Sequence, residues 1–256
     1  MHRLLFTCAY DGAPYLGWQS QRGGNTVQDV LEAAMAAIVK APLRIAAAGR
    51  TDAGVHALAQ CFHADVPENN RMDARAWRAA LNAHLPASIR IMKVESVPAD
   101  FHARFSASGK LYEYTLCTAE VLPPFLAGRV WHLSRELNEE RLAEALRAYE
   151  GTHDFRHFAA RRGNEPETPP PGFYQRTLWS ARVERDGEML RLRYHGNGFM
   201  YRMVRLLTGT ACQVATGRME LEQLIAMLEV EQGETSRFCA PAGGLCLLRV
   251  DYGQPG

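Results

Sequence analysis

No run in this chain reaches the ~20 consecutive apolar residues that cross a bilayer, and no signal-peptide core stands at its start. Residues 1–10 (Met-His-Arg-Leu-Leu-Phe-Thr-Cys-Ala-Tyr) read instead as a first β-strand, so the cytoplasm is the expected location and no membrane is expected as a partner. The chain also lacks a dominant charge: 29 Lys and Arg stand against 28 Asp and Glu, a formal net charge of +1. The sum does not by itself advertise a nucleic-acid binder, and any nucleic-acid surface has to come from local distribution. Cysteine is sparse and scattered. Cys8, Cys61, Cys117, Cys212, Cys239 and Cys246 form no C-x-x-C pair, which argues against a zinc knuckle or a disulfide scaffold and for free thiols in a reducing compartment. His153 and His157 have the i, i+4 spacing of a metal pair, but no Glu lies beside His153 in the zincin pattern and no third ligand is near. No metal is expected. Short-period repeats and low-complexity tracts are missing too, apart from a proline cluster at Pro166, Pro169, Pro170 and Pro171.

What is present is an ordinary globular composition, 47% hydrophobic and 22% charged over 256 residues. That length supports one large domain or two small ones. After the first strand comes a turn-rich stretch, residues 11–25. Thr26-Val27-Gln28-Asp29 then opens a helix with a capping pattern. Val27, Val30, Leu31, Ala34, Met35, Ile38 and Val39 recur on one face until Pro42. Residues 43–48 and 55–64 read as strands, 73–85 as a helix and 89–97 as a strand. The succession β-α-β-β-α-β is that of a ferredoxin-like sandwich.

The second half mixes strands and helices again. Residues 110–117 alternate, with Tyr112, Tyr114 and Leu116 on one face. Asn138 caps a helix to about Tyr149. Residues 174–184 and 189–195 flank Arg185-Asp186-Gly187-Glu188, a hairpin signal. Helices are expected over 199–215 and 220–229, and a last strand over 245–252. Residues 159–173 form a long loop without periodicity. The expected division is an N-terminal α/β half, 1–100, and a C-terminal α/β half, 101–256.

The segment Gly49-Arg50-Thr51-Asp52-Ala53-Gly54-Val55-His56-Ala57 carries the most chemistry. It sets a carboxylate between two glycines, with a cation two residues before and an imidazole four after. The glycines permit a sharp turn and close approach to a ligand. Taken alone, Asp-Ala-Gly is more often an Asx-turn than a reactive site. Local basic groupings are Arg156, Arg161 and Arg162 with His157, then Arg176, and later Arg202 with Arg205. They permit a basic cleft on a near-neutral protein.

The nonapeptide resembles the active-site motif of the tRNA pseudouridine synthase A family. So, in order, do Tyr10-Asp11-Gly12, Gly17-Trp18-Gln19, Thr26-Val27-Gln28, the central run from Asp100 through Phe101-His102-Ala103-Arg104-Phe105 to Ala107, Lys110 through Tyr114, Asn197-Gly198-Phe199, Met203-Val204-Arg205 and Gly244-Leu245. The resemblance spans nearly the whole chain. It implies an α+β fold of two ferredoxin-like halves sharing an extended antiparallel sheet. It implies isomerisation of uridine to pseudouridine at positions 38, 39 and 40 of the tRNA anticodon arm, a homodimer and no cofactor. It assigns Asp52 as the catalytic carboxylate, Arg205 as its ion-pair partner, Arg50 as the residue filling the space of the extruded nucleotide, Tyr112 as the aromatic packed on the base, and Leu245 as a pocket wall. Phe199 is expected to pack behind the pocket, and His56 to serve the turn as readily as the chemistry. Lys110 stands where the family often has Arg, and the 159–173 loop is longer than the family pattern.

Two other classes are open at this point. A non-catalytic RNA-binding protein on the same scaffold would not need the full set of Asp52, Arg50, Tyr112 and Arg205. A nucleoside hydrolase or glycosidase generally needs a carboxylate pair, and no second carboxylate stands out near Asp52.

Overall fold

The computed structural model describes residues 2–67, 70, 72–134, 136–161, 163, 166–229 and 235–253. The chain forms two compact units, one of Met1–Ser108 with Cys246–Gly256 and the other of Gly109–Leu245. The class is α+β, with ten strands and five α-helices among the described residues.

In the first unit the order is β1 (His2–Tyr10), α1 (Val27–Val39), β2 (Ile45–Ala47), β3 (His56–Val66), α2 (Ala74–His84) and β4 (Ile89–Val97). This is the expected β-α-β-β-α-β succession. β1 lies between β4 and β3 and pairs antiparallel with both. β2 pairs antiparallel with β3 through Ile45↔Ala64 to Ala47↔Phe62. The sheet order is therefore 4-1-3-2. β3 is long enough to offer more edge than β2 covers. Its start takes β10 (Leu245–Tyr252) instead, in parallel, through Cys246↔His56 and Leu247↔Ala57.

That pairing corrects the expected division at residue 100. The last strand pairs with the start of β3, so from Cys246 onward the chain returns to the first unit. It also qualifies the antiparallel expectation, which holds for the other pairings described here except β5 with β6 below.

α1 starts as its capping pattern predicts, and α2 carries an N-cap as well. Thr26 Oγ1 accepts from the Asp29 N–H in a full capping box, and Asp73 accepts from the Ala76 N–H. Each satisfies backbone donors that the first turn leaves without partners. α1 buries Val27, Leu31 and Met35, and α2 buries Trp77 and Leu81. In the core, Phe6 stacks on Phe62 at 5.0 Å, the Trp77 ring meets Phe6 edge-on at 6.0 Å, and Trp18 tilts against Phe62 at 6.0 Å. Truncating one such aromatic to Ala costs about 3–5 kcal/mol.

The second unit contains β5 (Ala107–Cys117), β6 (Trp131–His132), α3 (Glu139–Arg147), β7 (Gly151–Asp154), β8 (Gln175–Asp186), β9 (Met189–Gly196), α4 (Met203–Ala215) and α5 (Leu221–Glu229). The order β5-β9-β8-β7 is antiparallel throughout, and β6 pairs with β5 in parallel. The β8–β9 hairpin closes at Asp186↔Met189 over Gly187 and Glu188, with Gly187 at φ 60°.

Two expectations change here. β5 is buried on both faces over part of its length. Tyr112, Tyr114 and Leu116 are covered, and so is Glu113, which meets Arg193 at 2.9 Å and Arg191 at 3.4 Å on β9. The helix expected over 199–215 starts at Met203, because Arg202 ahead of it takes a left-handed φ of 59° and Asn197 to Met200 run as a loop. The described residues of 159–173 carry no helix or strand, and Arg162 lies outside the described residues. No helix among the described residues is long and apolar enough to cross a membrane.

Candidate active site

The Asp52 loop leaves β2 and enters β3 within the first unit. The Ala48 N–H donates to the Cys61 carbonyl at 2.8 Å, and Gln60, fully buried, donates through Nε2 to the Gly49 carbonyl at 3.1 Å. The chain then turns. The Val55 N–H donates to the Asp52 carbonyl at 3.1 Å. Gly54, third in that turn, has φ 78°, the value a type II turn demands at its third residue and which glycine supplies without strain. Gly49 does not use the left-handed region. Asp52 is thus the first residue of a defined turn, half-buried, between buried Thr51 and an exposed Ala53. Arg50 is exposed on the same loop.

What holds this loop from outside comes from the 10–18 segment, and reasoning from residue types alone missed it. Tyr10 Oη and Thr51 Oγ1 share a buried hydrogen bond of 2.8 Å, and the Trp18 N–H donates to the Thr51 carbonyl at 3.0 Å. Gly17 sits against the loop backbone. A Cβ there would lie 2.7 Å from Thr51 O, 3.0 Å from Ala53 N and 3.1 Å from the Asp52 carbonyl carbon. A Cβ on Gly12 would lie 2.0 Å from Val55 O. Both glycines are there because backbone must touch backbone. The only signal in the sequence was their presence in short motifs whose purpose cannot be read from spacing.

His56 Nδ1 lies 3.1 Å from the Gly12 nitrogen and 3.1 Å from Asp11 Oδ1. A neutral ring accepts the Gly12 N–H there; a protonated one pairs with Asp11. In both states it ties the 10–12 segment to the start of β3, which is the turn-stabilising role.

The other predicted residues lie in the second unit on three elements. Tyr112 on β5 is 7% exposed, and the Phe199 ring meets it edge-on at 5.1 Å and 80°. Phe199 therefore packs against the aromatic, as expected. Arg205 is the third residue of α4 and half-buried. Its Nε donates to the Ala240 carbonyl at 2.7 Å while its own carbonyl accepts from the Ala240 N–H at 3.0 Å. This reciprocal pair fixes the side chain's first reach.

Leu245 is buried at the start of β10. Gly244 before it lets the Tyr114 ring come within 2.7 Å of where a Cβ would stand, and Tyr114 Oη donates to the Pro241 carbonyl at 2.8 Å. Burial pushes the Tyr114 phenol far above its ordinary pKa, so it acts as a neutral donor. Of the basic groupings, Arg156 is matched by Asp154 at 2.7 Å and lies over the Tyr174 ring at 5.8 Å. It contributes less net charge than its sequence neighbours suggested. His153 directs Nε2 to the Glu150 carbonyl at 2.8 Å.

Comparison with known proteins adds a consistent picture. A family model described as tRNA pseudouridine synthase matches residues 7–106 and 145–253. The chain is 50% identical over 253 residues to tRNA pseudouridine synthase A of Akkermansia muciniphila, covering 98% of this chain and 96% of that one. It is 35% identical to tRNA pseudouridine synthase A 2 of Clostridium perfringens, over 98% of this chain and 100% of that one. It is 40% identical to tRNA pseudouridine synthase A of Solibacter usitatus, over 98% of this chain and 100% of that one.

Proposed function

The chain belongs to the tRNA pseudouridine synthase family, a family of isomerases, and on that premise we propose that it converts uridines 38, 39 and 40 of the tRNA anticodon arm to pseudouridine, working as a cytoplasmic homodimer without a cofactor. The observation that carries the site assignment is the Asp52 turn. Its carboxylate is presented half-buried on a loop whose backbone is clamped by Tyr10, Gly12, Gly17 and Trp18. Such a clamp removes positional freedom from a reacting group before substrate arrives.

The reaction breaks the bond between uracil N1 and ribose C1′, turns the base, and joins C5 to C1′. The C5 proton is lost and N1 gains one, so atoms balance without an external donor or a redox step. Asp52 serves as nucleophile at the sugar or as base, and either role needs the ionised carboxylate. A uridine in a stem is out of reach, so the nucleotide has to leave the stack. In this reading Arg50 fills the space it vacates, Tyr112 supplies the face on which the base packs, Leu245 walls the pocket, and Arg205 keeps the carboxylate ionised, as a neighbouring guanidinium does.

Mapping pseudouridine in tRNA after incubation with the pure protein tests the reading. Product at 38, 39 and 40 is expected. Asp52→Asn is expected to abolish it while tRNA binding stays within a few-fold, since Asn keeps the turn's shape but is neither nucleophile nor base. Substantial turnover by that variant would remove Asp52 from the mechanism.

A further inference from the structure

Arg176 is the second residue of β8. It is the cation in the second unit whose surroundings are hardest to account for by folding alone. Its side chain is half-buried. Nη1 donates to the carbonyls of Phe173 at 3.1 Å and Gln175 at 2.5 Å. Among the described residues no carboxylate pairs with it, and Nε and Nη2 have no protein acceptor. The other half-buried arginines of this unit's sheet differ: Arg193 meets Glu113 and Glu184, and Arg191 meets Glu113 and Asp186. Burial presses the Arg176 pKa downward, with no opposing charge to restore it. A guanidinium does not lose its proton in a protein, so the desolvation cost stays in the fold unless an anion relieves it.

The backbone of Gly198 runs beside the guanidinium, with a Cβ position 3.7 Å from Arg176 Nε and 3.8 Å from Cδ. The register there is rigid. Asn197 Oδ1 accepts from the Thr177 N–H at 3.0 Å, the Asn197 N–H donates to the Thr177 carbonyl at 3.0 Å, and a Cβ on Gly196 would lie 2.6 Å from that carbonyl. One residue on, ~3.8 Å along the chain, Phe199 packs on Tyr112. A cation that no carboxylate among the described residues pairs with therefore stands beside the loop that supports the base-packing tyrosine, in contact with the Gly198 backbone.

The geometry points to Arg176 as a binding site for a phosphodiester of the RNA strand that carries the target uridine. Nε and Nη2 are the two donors in line for bidentate contact with phosphate oxygens. The contact positions the strand and reads no sequence. This deepens the tRNA reading above and rests on it. Arg176 is a positioning residue here, because it touches the strand and not the reacting atoms.

The test compares wild type, Arg176→Gln and Arg176→Lys for tRNA affinity across a salt series, with single-turnover rates at saturating tRNA and melting curves. Losing one phosphate contact is expected to lower the slope of log affinity against log salt by about one. Affinity at low salt should fall about ten-fold, as for loss of a charged hydrogen-bonded contact, with the saturated rate within about two-fold. Arg176→Lys, which keeps the charge, should retain the wild-type slope. Unchanged slope and affinity in Arg176→Gln would overturn the site. So would a Lys variant as salt-insensitive as the Gln variant, since the guanidinium would then act only by holding the Phe173 and Gln175 carbonyls. If Arg176→Gln does not fold, the wild type decides: tRNA should protect Arg176 from an arginine-specific dicarbonyl, read by peptide mass mapping, and absent protection would refute the contact. A wild type that makes no pseudouridine in any tRNA would sink the functional reading instead, which keeps the two failures apart.

Discussion

Adding one methyl group at Gly17 should disable the active-site turn, and a matched change six residues away should not. Gly17 has φ 91° and its absent Cβ faces backbone atoms of Thr51, Asp52 and Ala53 at 2.7–3.1 Å. Gly23 has a similar φ of 98° but nothing within 4 Å of its Cβ position. Both Ala substitutions carry the left-handed backbone cost of ~1–2 kcal/mol. Both recover about 0.4–1 kcal/mol from the stiffer unfolded chain. Gly23→Ala should therefore lose no more than about 1.6 kcal/mol relative to wild type. Gly17→Ala adds overpacking of about 1–3 kcal/mol, because the obstructing atoms are main chain and cannot rotate away. The sum is about 1–4.6 kcal/mol, so the variant's melting temperature should fall by roughly 2–18 °C, at about 2–4 °C per kcal/mol for a chain of this size.

The functional effect is separable from the stability effect. Restoring an ordinary contact moves the Thr51–Asp52 backbone by ~0.5 Å or more, and a displacement of that order at a reacting group costs about ten-fold in rate. Single-turnover pseudouridine formation at 20 °C, where both variants are folded by circular dichroism, is the assay. A Gly17→Ala enzyme as fast and as stable as Gly23→Ala would refute the idea that backbone contact from the 10–18 segment sets the position of Asp52.

Three further outcomes are expected. Tyr112→Phe should retain most of the turnover, since the ring face remains, while Tyr112→Ala should lose about ten-fold or more, in line with ~1–3 kcal/mol for base stacking; equal losses would mean that the hydroxyl matters and the face does not. Glu113→Ala should destabilise by about 1–3 kcal/mol, because it removes the buried acceptor of Arg191 and Arg193, and a melting temperature unchanged from wild type would contradict that. Burial first, then Arg3 and His102, hold the His63 imidazole below its ordinary pKa, and its Nδ1 accepts from the Ala103 N–H at 3.1 Å. The neutral ring is the folded form, so its stabilisation is full above the unfolded pKa of ~6.5 and is lost as pH falls from there through the folded value. Urea midpoints between pH 7.5 and 5 should show this slope in wild type and a shallower one in His63→Gln.

Much was legible along the chain because the forces that set it are local. The capping box at Thr26, the N-cap at Asn138, the apolar faces of α1 and α2, the Gly187 hairpin and the last strand each depend on residues within a few positions of one another. Asp52 was legible as well, since a glycine-bounded turn between two strands is a local pattern. The family resemblance attached a chemistry to it. What the tertiary structure decided involves residues far apart in sequence. β10 returns to the first unit because the start of β3 has an edge that the short β2 does not reach. Gly12 and Gly17 are glycines because a segment about 40 residues away in the chain presses its backbone on theirs. Arg156 and Arg176 look alike in the sequence, yet one meets Asp154 and the other sits half-buried with no carboxylate partner among the described residues. Spacing predicts periodicity and turns, because these follow from the backbone's own geometry. Which atoms exclude water from a charge, and which backbones touch, depends on the packed arrangement of distant segments, and no local pattern encodes it.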